Sequence, residues 1–450
     1  MREDPFPLPS GPSLDYTSDV AAPLPGSGAC AIPAMSERRR LLSEPVGPVP
    51  RSNEVVPRPS VSSSSSAVKR GGATVPLLGY LPAWIIWTIA LMGLLANAAQ
   101  WSQKYGQISV GGNDFLDLYA GGKLATDPGL YDPVRVAQVQ WAAAGISGRA
   151  FLFSRPPAFA ALLAPLALLP YRSAYFLFQA LSLLAVVLAV LLWPAGGHRA
   201  AIAFACCWSV PLSAALANGQ DVPFLLLWLS IVARLMDRRP GLAGMVAALS
   251  MAKLHLFLLV PLWIVSQKRW RLGAGLAGGL LACGAASFAL QGPDWIQRYI
   301  HLVRNPIQNT DEAAMPNLHG LCSAFGLPWG VELAMCGVVA WLVWRACRRT
   351  PENAWVAMLA GCLLVSRHAY TQDCLILLPS LVVMLYAQEK ALPRRALAVI
   401  LLLPVTYMPA VARYPGAVIV PLAMLALVVM CAVNPAAPAD LRRVPAPVTA

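Results

Sequence analysis

Residues 173–198 read SAYFLFQALSLLAVVLAVLLWPAGGH, with no Asp, Glu, Lys or Arg among them. A helix needs about 20 apolar residues to cross the hydrocarbon of a bilayer. This stretch meets that length by itself. Residues 71–103, 200–220, 272–293, 396–412 and 414–439 are likewise free of charge. Across the chain 57% of residues are hydrophobic and 12% are charged. A soluble domain carries roughly 25% charged residues. The composition therefore asks for a solvent as apolar as the side chains, and a bilayer is one. The expected fold is all-α: a polytopic bundle of about 11–13 spans with a long first outer loop.

The net charge of +13 does not point to nucleic acid. The Lys and Arg residues sit in short clusters between apolar runs, as cytoplasmic loops do under the positive-inside rule. Such clusters are Arg234/Arg238/Arg239, Lys268/Arg269/Arg271, Arg345/Arg348/Arg349 and Lys390/Arg394/Arg395. The ten cysteines form no CxxC pair and lie mostly inside apolar runs, as small hydrophobes do. No cleavable signal peptide is expected, because the first apolar run begins near Val75.

Residues 1–70 are rich in Pro and Ser and poor in large apolar residues, so they read as a disordered cytoplasmic tail. Residues 436–450 read as a second such tail. The membrane domain is expected over 75–435, with periplasmic loops at 100–155 and 292–325. The basic clusters near 238 and 269 both belong inside, yet only 241–266 separates them. That segment must go out and return, breaking near Lys253. Broken helices are tolerated where they line a cavity. Residues 156–170 are bounded by prolines and read as a short or re-entrant element.

The strongest local feature is Asn113-Asp114-Phe115-Leu116-Asp117-Leu118-Tyr119-Ala120-Gly121-Gly122, ending in Leu130-Tyr131-Asp132-Pro133. A carboxylate at the bilayer surface is suited to act as general base on an alcohol. The spacing fits a solvated acidic loop equally well. Asp114 and Asp117, three residues apart, would share a helix face and offer a divalent cation two carboxylates. No other cofactor is expected. Lys253 fits either a functional intramembrane charge or a side chain snorkelling to the interface. Gln220 and Asp221 fit the cap of a helix at 221–235. Trp101, Tyr105 and Tyr119 read as interfacial aromatics.

These motifs in their order resemble glycosyltransferase family 87, whose members have the GT-C fold and use polyprenyl-phosphate sugars. The resemblance runs over about 75–435. It is carried by Asp114-Phe115 with Tyr119, Ala120-Gly121, Leu130-Tyr131-Asp132, Phe153-Ser154-Arg155-Pro156-Pro157 and Leu168-Leu169-Pro170. Then follow Asn218-Gly219-Gln220, Leu242-Ala243-Gly244, Ala252-Lys253, Pro261 and Ser366-Arg367-His368 with Asp373. The family more often has Ser-Pro-His at the last motif, and often a Pro soon after the Lys.

The resemblance implies a mannosyltransferase-like hexosyltransferase of the cell envelope, in the bacterial inner membrane with its N-terminus inside. It would move a hexose or pentose from a polyprenyl-phosphate donor to a lipid- or glycan-linked hydroxyl on the periplasmic side, inverting C1. Asp114 would be the catalytic base. Lys253, His368, Arg155 and Arg367 would bind the donor phosphate, and Asp117, Tyr119 and Gln220 would support the acceptor or the loop. The alternative is a polytopic transporter or lipid flippase without transferase activity. Convergence of Asp114, Lys253 and His368 on one site favours the enzyme.

Overall fold

The computed structural model describes residues 82–103, 113–145, 151–304, 312–386, 392–412 and 415–433. Both expected tails, and Tyr105, lie outside them. All regular structure among the described residues is helical.

Helix α1 is Ala83–Gln103, and the first loop then carries α2 (Phe115–Lys123), a 3-10 turn at Pro128–Tyr131 and α3 (Pro133–Ala144). Next come α4 (Pro157–Ala167), α5 (Tyr171–Leu192), α6 (Arg199–Cys207), α7 (Val210–Ala217), α8 (Val222–Leu235) and α9 (Pro240–Ala247). A 3-10 segment, Ala248–Phe257, leads to α10 (Val260–Ser266), α11 (Trp270–Gln291) and α12 (Trp295–Val303). The remainder is α13 (Leu318–Ala324), α14 (Trp329–Cys347), α15 (Pro351–Val365), a 3-10 segment Thr371–Leu377 running into α16 (Leu378–Tyr386), α17 (Leu392–Leu402), α18 (Met408–Val411) and α19 (Ile419–Val433).

Helix α5 shows what surrounds the bundle. Its face of Tyr175, Phe178, Ser182, Ala185, Val186 and Ala189 is buried and packs chiefly on α8. Its opposite face exposes Leu177, Leu181, Leu184, Leu188 and Leu191. A leucine stripe on the outside is stable only against hydrocarbon.

Among the described residues four helices are long and apolar enough to cross a membrane, and up to six if two bent pairs each count as one. The other apolar helices described have 10–17 residues, so the expected 11–13 crossings would be reached only by counting these as well. One bent pair is α6 with α7, turned by 53°. Pro211 removes a backbone donor there, and the freed groups find partners on α1. Asn97 Nδ2 donates to the Cys207 carbonyl at 2.8 Å, and Ser213 Oγ donates to Asn97 Oδ1 at 2.5 Å. The expected break in 241–266 falls at Lys253 itself, whose φ of −136° and ψ of 59° are not helical. Residues 156–170 form only the 11-residue α4, about 16 Å long at 1.5 Å per residue and too short to cross.

The basic clusters meet at one end of the bundle. Arg269 pairs with Asp237 at 2.9 Å, Gln267 hydrogen-bonds the Cys347 carbonyl, and Arg394 donates to Asn353 at 2.6 Å. Helices α5, α8, α14 and α16 run toward that end, and α7, α9, α11 and α15 run away from it. The starts of α2, α4 and α8, the Lys253 break and the segment at 366–373 therefore gather at the opposite end.

Helices α9 and α11 pack closely, and glycine makes it possible. A Cβ on Gly244 would strike the Leu272 carbonyl oxygen, and one on Gly275 the Gly241 carbonyl. Both obstacles are backbone, so only separating the helices would relieve them. Small residues permit such approach in membranes. Gly244→Val is expected to destabilise the bundle by about 1–3 kcal/mol, read as a lower melting temperature in detergent. An unchanged melt would refute the close contact.

Candidate active site

The polar residues at this end are acids placed at helix starts. Asp114 is the N-cap residue of α2 and Asp117 lies in its first turn. Asp221 is the N-cap residue of α8. Asp373 lies in the first turn of Thr371–Leu377, where its Oδ2 accepts from the Tyr370 N–H at 2.8 Å. The positive end of each helix favours a carboxylate there.

Two cations thread these acids together. Arg155 donates through Nε to Asp221 at 2.9 Å and through a terminal nitrogen to Asp117 at 3.1 Å. Lys253 Nζ donates to Asp373 Oδ1 at 2.8 Å and lies 3.6 Å from Asp221 Oδ1. The chain Asp117–Arg155–Asp221–Lys253–Asp373 is continuous, and every member is buried. A further branch leads to Asp114: Lys253 Nζ donates to Gln220 Oε1 at 2.8 Å, and Gln220 Nε2 donates to Asp114 Oδ2 at 2.5 Å. Among the described residues no other group donates to the Asp114 carboxylate, which is half-buried.

The loops are held as firmly as the charges. The Asp114 N–H donates to the Asn218 carbonyl at 3.0 Å. Gly219 has φ of +65°, and a Cβ there would lie 2.7 Å from Phe115 Cβ. The Asn218-Gly219-Gln220 turn thus needs glycine twice, for its conformation and for its contact with α2. Arg155 is held from behind: Tyr131 Oη donates to its carbonyl at 2.7 Å, and Tyr299 Oη to the Ser154 carbonyl at 3.3 Å.

The six acids and cations include four carboxylates and two cations. Burial pushes Asp117 up to about 7 against the pull of Arg155, with Asp114 and Asp221 adding to the rise. The folded protein thus keeps a proton on Asp117 that the unfolded chain releases from about pH 4 upward. Stability is greatest below that range and falls as pH rises toward 7. Asp117→Asn removes this loss. Its melting temperature is expected to gain on that of wild type between about pH 5 and pH 8. A constant difference across that range would overturn the assignment.

His368 stands beside this network. Its ring lies 6.4 Å from that of His255, edge to face, and His255 is two residues from Lys253. Burial, with Arg367 next to it, pushes His368 below the ordinary imidazole range. Arg367 is exposed and makes no contact with the Asp221 network. Behind them Asn317 Nδ2 donates to the Ser366 carbonyl at 2.7 Å. His319 stands between Glu332 at 3.0 Å and Glu312 at 3.3 Å.

The structure thus joins Asp114, Asp117, Arg155, Gln220 and Lys253 directly, and places His368 and Arg367 at their rim. One expectation changes. Tyr119 is buried rather than interfacial: its Oη donates to the Leu169 carbonyl at 2.8 Å, tying α2 to the start of α5. Asp117 turns its Oδ2 to Arg155. Among the described residues no group of three or more His, Cys, Asp or Glu is arranged to hold a metal.

Sequence reasoning missed Asp221 and Asp373 as members of the network, and His255 at its rim. A signal existed. Asp221 is the one acid between Asp132 and Asp237, and Asp373 the one acid between Glu352 and Glu389. A lone acid at the head of an apolar run is costly and needs a partner.

An apolar cavity of about 100 Å³ extends from Leu225 and Leu254 toward Trp263, lined also by Trp228, Phe257 and Trp355. Leu225 is one turn from Asp221, and Leu254 follows Lys253. Its lining is almost wholly apolar.

Residues 153–376 match the family model described as glycosyltransferase family 87. Asp114, Asp117 and Tyr119 precede the matched residues, whereas Arg155, Gln220, Lys253, His368 and Asp373 fall within them. No curated protein and no solved structure matches the chain.

Proposed function

Through residues 153–376 this chain is a member of glycosyltransferase family 87, a membrane glycosyltransferase, and we propose that it takes its sugar from a polyprenyl phosphate. The acceptor in this reading is a hydroxyl of a lipid or glycan on the periplasmic face of the bacterial inner membrane. The sugar is a hexose or pentose.

One observation carries the reading. The half-buried carboxylate of Asp114, which has a single donor among the described residues, shares a hydrogen-bonded network with Lys253, and Leu254, next in sequence, lines an apolar cavity. The cavity suits an isoprenoid tail, whose burial is favourable by about 0.8 kcal/mol per CH₂. Asp114 accepts the proton of the acceptor hydroxyl as its oxygen bonds to C1. The bond from C1 to the phosphate oxygen breaks, and the electron pair leaves with the lipid phosphate. A single displacement of this kind inverts C1.

The leaving phosphate needs fixed positive charge or donors. Arg155 and Lys253 already face two carboxylates each, so they hold the acids in place. His368 and the exposed Arg367 remain for the phosphate. A neutral imidazole still donates one N–H, and the negative charge that develops on the departing phosphate favours its protonation.

The test is transfer in membranes from radiolabelled polyprenyl-phosphate hexoses and pentoses. Transfer from at least one donor is expected. Folded protein that moves sugar from none of them would overturn the proposal.

A further inference from the structure

Gln220 touches both Lys253 and Asp114, and its amide is directional. Oε1 can only accept, and Nε2 can only donate. Lys253 carries donors alone, so its contact at 2.8 Å fixes which end of the amide faces it. Asp373, 2.8 Å from the same Nζ, and Asp221, 3.6 Å away, hold the ammonium in place. The other end of the amide, Nε2, is thereby aimed at Asp114 Oδ2.

The backbone adds a second point of attachment. The Asp114 N–H bonds the Asn218 carbonyl, two residues before Gln220. The Asn218-Gly219-Gln220 turn therefore grips Asp114 by its main chain and by one carboxylate oxygen. With Oδ2 held, the carboxylate cannot rotate, and Oδ1 keeps a fixed direction.

We propose that Gln220 is the positioning residue of the reaction: it is polarised and oriented by Lys253, and it holds the Asp114 carboxylate with Oδ1 directed at the acceptor hydroxyl. Gln220 touches neither sugar nor phosphate in this role. Lys253 and Asp373 act on the base through it. The inference rests on Asp114 as the base, and its test includes a readout that needs no substrate.

The variants are Gln220→Leu, which removes the donor, and Gln220→Glu, which keeps the size and replaces the donor by a second carboxylate. A hydrogen bond to a charged group contributes about 1.5–3 kcal/mol, which is about one to two pH units of proton affinity. The acidic limb of the transfer profile is therefore expected to move up by about one to two units in Gln220→Leu. It should move further in Gln220→Glu, where two carboxylates share one proton. The kcat should fall about tenfold or more at neutral pH, with KM for the donor little changed.

The substrate-free readout is infrared titration of the protonated carboxyl band that Asp114→Asn removes. That band is expected to persist to higher pH in both Gln220 variants. If it titrates as in wild type in either one, the positioning role is refuted, whatever happens to transfer. If it shifts while wild type moves no sugar, the relay stands and the glycosyltransfer reading fails. Should Gln220→Leu not fold, Gln220→Glu carries the test.

Discussion

Asp114→Asn is expected to abolish sugar transfer while leaving the protein folded. General base catalysis contributes about 10²–10⁴ in rate, so residual transfer should lie that far below wild type. Asn has the same shape as Asp, and the main-chain bond from residue 114 to Asn218 does not depend on the side chain. The buried pairs of Arg155 and Lys253 do not include Asp114 either. Melting temperature should therefore change little, which separates lost chemistry from lost fold. Asp114→Glu should retain part of the activity at best, because its longer side chain displaces the oxygen from the Gln220 amide. The measurement is initial rate in membranes with the donor that wild type uses. Equal rates for wild type and Asp114→Asn would remove Asp114 from the chemistry.

The spans were legible because charge is costly in hydrocarbon, so its absence over 173–198 or 272–293 has one reading. The break at Lys253 was legible from parity, because two basic clusters had to share a side. The span count was less so. Pro211 and Pro404 bend helices that composition reads as continuous, and α4 is apolar yet too short.

At the site, single residues were legible and their partners were not. Asp114 was marked by position and Lys253 by isolation. Pairing is a tertiary fact: Arg155 and Asp221 are 66 residues apart, Asp114 and Gln220 are 106, and Lys253 and Asp373 are 120. Only the fold shows that Arg155 and Lys253 are neutralised within the protein. Read alone, each seemed free to bind phosphate.

Lys253→Met is expected to be the most destabilising single change in the network. Lys253 is 7% exposed and lies within reach of two carboxylates that are 1% exposed. Met fills a similar volume but leaves Asp373 buried without its cation and Asp221 with Arg155 alone. Breaking a buried pair in this way costs about 3–5 kcal/mol. The loss should appear as a much lower melting temperature in detergent, and raising the salt should not restore it, because buried pairs are poorly screened. Most of that cost belongs to the orphaned Asp373, not to the attraction itself. The double variant Lys253→Met with Asp373→Asn should therefore recover part of the stability, although it lacks both partners. It should not recover transfer, since Gln220 then has no ammonium to orient it. By contrast the exposed pair of Arg135 and Asp127 at 3.2 Å should contribute at most about 1 kcal/mol. A Lys253→Met protein as stable as wild type would mean that the ammonium does not hold these acids. The bond through Gln220 would then have no fixed anchor, and Asp114 would be placed by its backbone alone.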